Sequence, residues 1–354
     1  MMEFRTQGYN GYAVKYSPFF DSRICVAASA NFGLVGNGRI YVLGLTPNGI
    51  QAEKWFNTQD SVYDVAWSER HENQLVVASG DGSVKLFDIN VNDYPVQSWK
   101  EHNREVYAVH WNLVSKDTFA SSSWDGTIKI WSPERQNSIL TLPTHSCTYS
   151  TAFSPHSPSI ISSVSSDSHL RIFDLRTPAS ASNHLVALIP IHGPAPLMGG
   201  PANSLRPNTP PSEALTHDWN KYRSTVVATA GVDQIIRTFD TRNPKGGPVA
   251  MLRGHEYAVR KLAWSPHLSD VLLSASYDMT CRVWSDGTSM SQPNAHPGIA
   301  GNGSQLGRMD RHTEFCTGVD WCLFGSEGWC ASVAWDERLL VWDVRSQISP
   351  QMRS

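Results

Sequence analysis

Histidine and aspartate recur at a nearly constant separation along the chain, and both residue types can bind metal ions or transfer protons. Four pairs lie 22 to 24 residues apart: His102 and Asp125, His145 and Asp167, His255 and Asp278, and His312 and Asp336. Such pairs suggest a metal-binding or catalytic role. The six cysteines, however, show no C-x-x-C pair and no zinc-type spacing with histidine. We therefore expect reduced thiols and ask first what structural unit carries the pairs.

The aspartates mark a sequence repeat. "SSSWDGTIKIW" (121–131) is a hairpin, and Asp125-Gly126 predicts a two-residue turn in which both positions take a positive φ. An aromatic residue follows each turn aspartate after six positions: Phe87, Trp131, Phe173, Phe239, Trp284 and Trp342. A second aromatic lies 20 or 21 residues before the first, and the ordinary repeat length is 42 to 45 residues. This period predicts four-stranded blades of a WD-repeat β-propeller.

We predict an all-β fold, a seven-bladed WD-repeat β-propeller that occupies residues 1–354 as a single unit. Six blades are clear, and segments 12–18 and 37–45 indicate a degenerate first blade. No fourth strand follows segment 339–345, so residues 3–7 are expected to complete the last blade and close the ring. Residues 193–213 and 286–303 are rich in Gly, Pro and Ser and are expected to be irregular insertions.

In propellers of this kind a histidine, a strand Ser or Thr, a tryptophan and the turn aspartate form a buried hydrogen-bonded set that ties a blade together. Three such blade ties are predicted: His102, Asp125 and Trp131; His255, Asp278 and Trp284; and His312, Asp336 and Trp342. Buried polar groups require partners of this type. We find no nucleophile, base and orienting group outside these positions, so neither an enzyme, a cofactor nor a metal is expected.

A binding surface is predicted where the inner strands of blades two and three begin. Asp60, Asp64 and Glu105 place negative charge near the rim of these blades, and Tyr63, Tyr107 and Trp124 add aromatic area. Carboxylates flanked by aromatics suit a partner that carries arginine on an amphipathic helix. The alternative is a solvated acidic rim above core aromatics.

Several longer stretches resemble one family. "YAVKYSPFFDSRICVAASANFGLVGNGRIYVL" (12–43), "KEHNREVYAVHWN", "HDWNKY" (217–222) and "RHTEFCTGVDW" (311–321) are similar to receptors for the type 2 peroxisomal targeting signal, of the fungal type. The resemblance implies a cytosolic import receptor, cycling to the peroxisome, that binds this N-terminal signal of matrix proteins. It also implies a fungal co-receptor peroxin and docking peroxins as partners. The six rim residues would then bind the signal helix.

Composition narrows the alternatives. The net charge of −3 and the pI near 6.5 argue against nucleic-acid binding, and no apolar run reaches membrane-spanning length. The rivals are a generic WD-repeat scaffold of a ubiquitin-ligase or chromatin complex, and a propeller enzyme with a catalytic cluster in its central channel.

Overall fold

Seven four-stranded antiparallel sheets succeed one another along the chain. The computed structural model describes residues 1–91, 93–178, 184–192, 211–288, 303–325 and 327–348. Blade 1 contains β2 (Asn10–Tyr16), β3 (Arg23–Ser29), β4 (Gly38–Thr46) and β5 (Gly49–Thr58). Blade 2 contains β6 (Val62–Trp67), β7 (Gln74–Ser79), β8 (Val84–Asp88) and β9 (Gln97–Trp99). Blade 3 contains β10 (Val106–Trp111), β11 (Phe119–Ser123), β12 (Thr127–Trp131) and β13 (Leu140–Pro143).

The remaining blades have the same strand order. Blade 4 contains β14 (Thr148–Phe153), β15 (Ile160–Ser165), β16 (His169–Asp174) and β17 (Leu185–Pro190). Blade 5 contains β18 (Ala214–Trp219), β19 (Val226–Gly231), β20 (Ile236–Asp240) and β21 (Ala250–Leu252). Blade 6 contains β22 (Val259–Trp264), β23 (Val271–Ser276), β24 (Cys281–Ser285) and β25 (Ser304–Met309). Blade 7 contains β26 (Cys316–Trp321), β27 (Trp329–Ala334), β28 (Arg338–Asp343) and the N-terminal β1 (Met2–Arg5). The described helical elements are 3-10 turns over Ala30–Gly33 and Val344–Ser346.

The ring closes through its two ends, as predicted. Strand β1 pairs antiparallel with β28, with Met2 opposite Val341 and Arg5 opposite Arg338. The Arg338 guanidinium also donates to the Glu3 carboxylate at 2.7 Å. The closing strand is therefore centred slightly earlier than the predicted residues 3–7. This pairing covers the outer edge of β28, which would otherwise lie open to another chain.

The turns that hold the repeated aspartates differ from the prediction. In blade 3 the Gly126 N–H donates to the Ser123 carbonyl at 3.2 Å, and Gly126 has φ 77° while Asp125 does not take a positive φ. The loop is thus a three-residue turn that ends in one left-handed residue, not the predicted two-residue turn. The corresponding residue is left-handed in all six clear blades, even where it is Ser168 or Met279.

The hydrophobic core lies between neighbouring blades. The aromatics that define the repeat are buried: Trp131, Trp284 and Trp342 are at most 1% exposed. One core cluster joins Val76 and Leu86 of blade 2 to Trp111 and Trp131 of blade 3. Regular aromatic spacing therefore sets the distance from blade to blade, because each ring packs against the next sheet.

One insertion lies between two blades and the other lies within a blade. Insertion 193–213 follows the outer strand β17 and precedes the inner strand β18, whereas insertion 286–303 lies between β24 and β25 of blade 6. Residues 193–210 and 289–302 lie outside the described residues.

Candidate functional site

Within each of the three predicted tie sets, the side chains are in hydrogen-bond contact. In blade 3, His102 Nδ1 is 2.9 Å from Asp125 Oδ2, His102 Nε2 is 2.8 Å from Ser121 Oγ, and the Trp131 indole donates to the same hydroxyl at 2.8 Å. Burial opposes ionisation of Asp125, but the hydrogen bonds from His102 and Thr127 outweigh it and lower the pKa of Asp125. Blades 6 and 7 have the same geometry around Ser274 and Ser332: His255, Asp278 and Trp284, and His312, Asp336 and Trp342.

Other turn aspartates have cationic partners. Asp167 accepts from the Arg171 guanidinium at 3.0 Å, and the Asp81 carboxylate lies 2.8 Å from Lys85 Nζ. His145 is exposed, in a left-handed conformation with φ 61°. The pair His145 and Asp167 therefore matches the sequence spacing without forming the contact.

One buried group of side chains has the composition of a metal site. Single ligand atoms of Cys281, His312 and Cys316 lie within 4.8 Å of one another. Both ring nitrogens of His312 are already hydrogen-bonded, to Asp336 at 3.0 Å and Ser332 at 2.9 Å. Burial raises the pKa of the Cys316 thiol well above its ordinary value, which disfavours the thiolate that a metal requires. We assign this group to the core between blades 6 and 7.

A β-bulge recurs near the start of every inner strand, and it determines which side chains reach the central channel. In blade 3 the register shifts between Val106 and Ala108, so Tyr107 is the bulged residue. Val106 pairs with Ser123, so the bulge lies beside the aspartate turns, on what we call the turn face. The seven bulged residues line one constriction, which we call the channel mouth: Tyr12, Tyr63, Tyr107, Tyr149, Leu215, Arg260 and Thr317.

Three of the predicted binding residues form a continuous aromatic row. Ring centres of Tyr63 and Tyr107 are 5.0 Å apart, and those of Tyr107 and Trp124 are 5.2 Å apart in a stacked arrangement. All three side chains are partly exposed on the turn face. The row can therefore offer both a flat apolar surface and aromatic faces that attract cations.

The carboxylates of Asp60 and Glu105 lie beside this row. Burial first, then Tyr107 and these two carboxylates, raise the pKa of Tyr63 to about 12. The Asp60 carboxylate packs against Gly80, because a Cβ added to Gly80 would lie 2.9 Å from Asp60 Oδ1. Glu105 has a neighbour that the sequence analysis did not consider, since its Oε2 lies 3.6 Å from the Nε of the exposed Arg104.

Asp64 differs from its predicted position on the rim. It follows the bulge at Tyr63, is only 4% exposed, and accepts a hydrogen bond from the Val109 N–H at 3.3 Å. Its Oδ1 lies 3.6 Å from Lys261 Nζ of blade 6. The bulge turns Tyr63 toward the mouth and Asp64 into the channel, so Asp64 is separated from the rim carboxylates.

Asp64 belongs to a layer of charges inside the channel. Lys15 pairs with Asp320 at 3.0 Å, and Lys221 pairs with Asp218 at 2.9 Å. These residues line a cavity of about 180 Å³ that also contains Lys261. The Lys15–Asp320 pair joins blades 1 and 7 and the Asp64–Lys261 pair joins blades 2 and 6, so these charges link sheets that share no backbone hydrogen bonds.

Rings that the sequence analysis missed extend the aromatic surface. Trp335 contacts Tyr12 at 5.9 Å, Phe32 at 5.4 Å and Phe315 at 5.2 Å, and Tyr12 contacts Tyr63 at 5.3 Å. Trp124, Tyr277 and Trp335 each directly precede a turn aspartate. An aromatic residue directly before the turn aspartate is visible in the sequence repeat, and this signal could have identified Tyr277 and Trp335.

An apolar loop lies next to this surface. Leu34 is 83% exposed and Val35 is 70% exposed. The Phe32 N–H donates to Asn10 Oδ1 at 2.8 Å, and the Tyr63 hydroxyl donates to the Gly33 carbonyl at 3.2 Å. The loop is thus fixed to blades 1 and 2 while its aliphatic side chains remain in solvent, an arrangement typical of interaction surfaces.

In the described part of the chain, no helix is both long and apolar enough to cross a membrane.

Comparison with known proteins identifies the family of the chain. The model of the WD domain, G-beta repeat, matches residues 246–285, and the model of eukaryotic translation initiation factor eIF2A matches residues 24–176. The chain is 39% identical to the peroxisomal targeting signal 2 receptor of Saccharomyces cerevisiae, over 97% of this chain and 99% of that protein. It is 41% identical to the receptor of the same name from Komagataella phaffii, over 98% and 99%. The human receptor of that name is 36% identical over 89% of this chain and 87% of its own length. The chain therefore belongs to the family of peroxisomal targeting signal 2 receptors.

Proposed function

We propose that this protein is a cytosolic import receptor that binds the N-terminal type 2 targeting signal of peroxisomal matrix proteins. It delivers them, together with a co-receptor peroxin, to docking peroxins at the peroxisome and so cycles between the two compartments. The observation that carries the proposal is the pair of carboxylates, Asp60 and Glu105, beside the aromatic row of Tyr63, Tyr107 and Trp124. The names of the full-length relatives support the same function.

The signal is expected to bind as a basic amphipathic helix on the turn face. Its arginine approaches Asp60 and Glu105 and lies against the aromatic row, where ring faces stabilise a cation by about 0.5–2 kcal/mol. Its apolar side packs on the row and on Leu34 and Val35, which are exposed in the free protein. Carboxylate and aromatic contacts together select a helix that is both basic and apolar.

Arg104 gives the free receptor a partner for Glu105. The 3.6 Å pair is formed by an exposed arginine, whose guanidinium also lies 5.6 Å from the Trp124 ring. An incoming arginine replaces Arg104 in both contacts, so part of the cation–carboxylate attraction is already present before binding. Exposed pairs of this type contribute about 0–1 kcal/mol, so the replacement opposes binding only weakly.

The function is tested by measuring the affinity of a fluorescent peptide that carries a type 2 signal, with and without the co-receptor. A scrambled peptide of equal charge and a peptide with the arginine changed to glutamate are the controls. We expect saturable binding of the signal peptide only. Equal binding of the scrambled peptide, or no binding in either condition, would contradict the proposal.

A further inference from the structure

The channel mouth contains one charged residue, Arg260 of blade 6, among its seven members. The other six are four tyrosines, Leu215 and Thr317. Arg260 is 6% exposed, and its guanidinium carbon lies 4.6 Å from the ring centre of Tyr107 in blade 3, across the channel. The side chain therefore crosses the mouth and leaves a cavity of about 10 Å³ beside it, room for about one water molecule.

The charge of Arg260 has aromatic rather than carboxylate neighbours. Among the described residues no carboxylate forms an ion pair with its guanidinium, and Asp64, in the layer below, is paired with Lys261. Burial opposes the charged form, but Tyr107, Tyr277 and the more distant Asp64 carboxylate together outweigh it and raise the pKa of Arg260. The guanidinium is thus a permanent and largely desolvated positive charge at the centre of the turn face.

The charge pattern of the turn face is consequently asymmetric. Asp60 and Glu105 are negative at the rim of blades 2 and 3, whereas the centre is positive. Tyr107 links the two regions, because it stacks with Trp124 in the aromatic row and also lies under Arg260. A helix that packs on Tyr107 therefore contacts both potentials at once.

We propose that Arg260 is a specificity-determining residue that excludes basic side chains from the centre of the turn face and thereby fixes where the signal's arginine binds. This inference rests on the proposed function. A cation near the rim is attracted, while one placed over the mouth meets a like charge that solvent screens poorly. For a peptide cation about 8 Å from the Arg260 guanidinium, with an effective dielectric constant between that of a protein surface and that of water, the repulsion weakens binding by roughly five- to thirtyfold.

The test is a lysine scan of the signal peptide, in which each position other than the arginine is changed singly to lysine and affinity is measured for three receptors. These are wild type, Arg260→Met, which removes the charge and keeps an unbranched though shorter side chain, and Arg260→Lys, which keeps the charge. We expect wild type and Arg260→Lys to lose roughly five- to thirtyfold at one or more positions. Arg260→Met should lose less than about threefold at the same positions while binding the parent peptide about as well as wild type.

The outcomes separate the two proposals. A lysine profile that is the same for wild type and Arg260→Met, with the parent peptide bound by both, would overturn the role of Arg260 alone. Failure of wild type to bind the parent peptide would overturn the proposed function and this inference with it. Melting curves of the three receptors, and parent-peptide affinity of Arg260→Lys, identify any loss that arises from disturbed packing of Tyr107.

Discussion

Reversing the charge of Glu105 should weaken signal binding far more than it weakens folding. The Glu105 side chain is 34% exposed, and its ion-pair partner Arg104 is more exposed still. Truncating a buried interfacial charge pair costs about 2–5 kcal/mol, and an exposed pair contributes about 1 kcal/mol or less. One-third exposure lies between these cases, and lysine adds repulsion to the lost attraction. We therefore expect Glu105→Lys to cost about 2–3 kcal/mol of binding free energy, roughly a 30- to 150-fold rise in Kd.

The assay is peptide anisotropy at two salt concentrations, with Glu314→Lys as the matched control. Glu314 is an exposed acid on the same face, three residues before the bulged Thr317 of blade 7, which is the spacing between Asp60 and Tyr63. Glu314→Lys changes the net charge by the same amount as Glu105→Lys, but Glu314 does not lie beside the aromatic row. We expect Glu314→Lys to change Kd by less than about threefold, and salt to reduce the difference between the two variants.

A charge-swap cycle makes the result specific. If Glu105 contacts the signal's arginine, a peptide with that arginine changed to glutamate should bind Glu105→Lys better than it binds wild type. Normal binding of the parent peptide by Glu105→Lys at low salt would refute the assignment. So would equal losses in Glu105→Lys and Glu314→Lys, because they would reduce the effect to overall charge.

Four further results are expected. His255→Ala should lower the free energy of unfolding by about 1–3 kcal/mol, measured in urea, since buried partners lose their hydrogen bonds, and an unchanged midpoint would contradict the tie. Burial lowers the pKa of His217 to about 4. Because the ordinary pKa of histidine is about 6.5, the unfolded chain binds more protons than the folded chain below that pH. The free energy of unfolding therefore falls by up to about 3 kcal/mol as the pH drops from 6.5 toward 4. His217→Gln should remove that part of the pH dependence, whereas the exposed His71→Gln should not. Leu34→Asp should weaken signal binding by roughly tenfold with little change in melting temperature; equal affinity would remove the loop from the interface. Deleting residues 2–6 should lower the melting temperature by several degrees, because it uncovers β28, and an unaltered melting curve would contradict closure by β1.

The sequence by itself determined the propeller, and the reason is local. Each turn aspartate and the aromatic six residues later belong to the same blade, and one blade takes up each 42- to 45-residue repeat. Within a blade, strands that pair are mostly neighbours in the chain. Closure by the N-terminal strand also followed, because a repeat without a fourth strand needs one from elsewhere. Family membership followed from long stretches such as 12–43, which the comparisons confirmed.

Side-chain direction at the inner strands was decided by the tertiary structure. The sequence analysis placed Asp60 and Asp64 together near the rim, but the bulge at Tyr63 in β6 sends Asp64 to Lys261 inside the channel. A bulge is a property of two paired strands, and the spacing of one strand does not report it. Likewise Arg260 meets Tyr107 only because a ring of seven blades brings opposite inner strands to one axis. The sequence thus specified which residues each blade carries, while closure of the ring decided which of them share the mouth and the charge pattern that a partner meets.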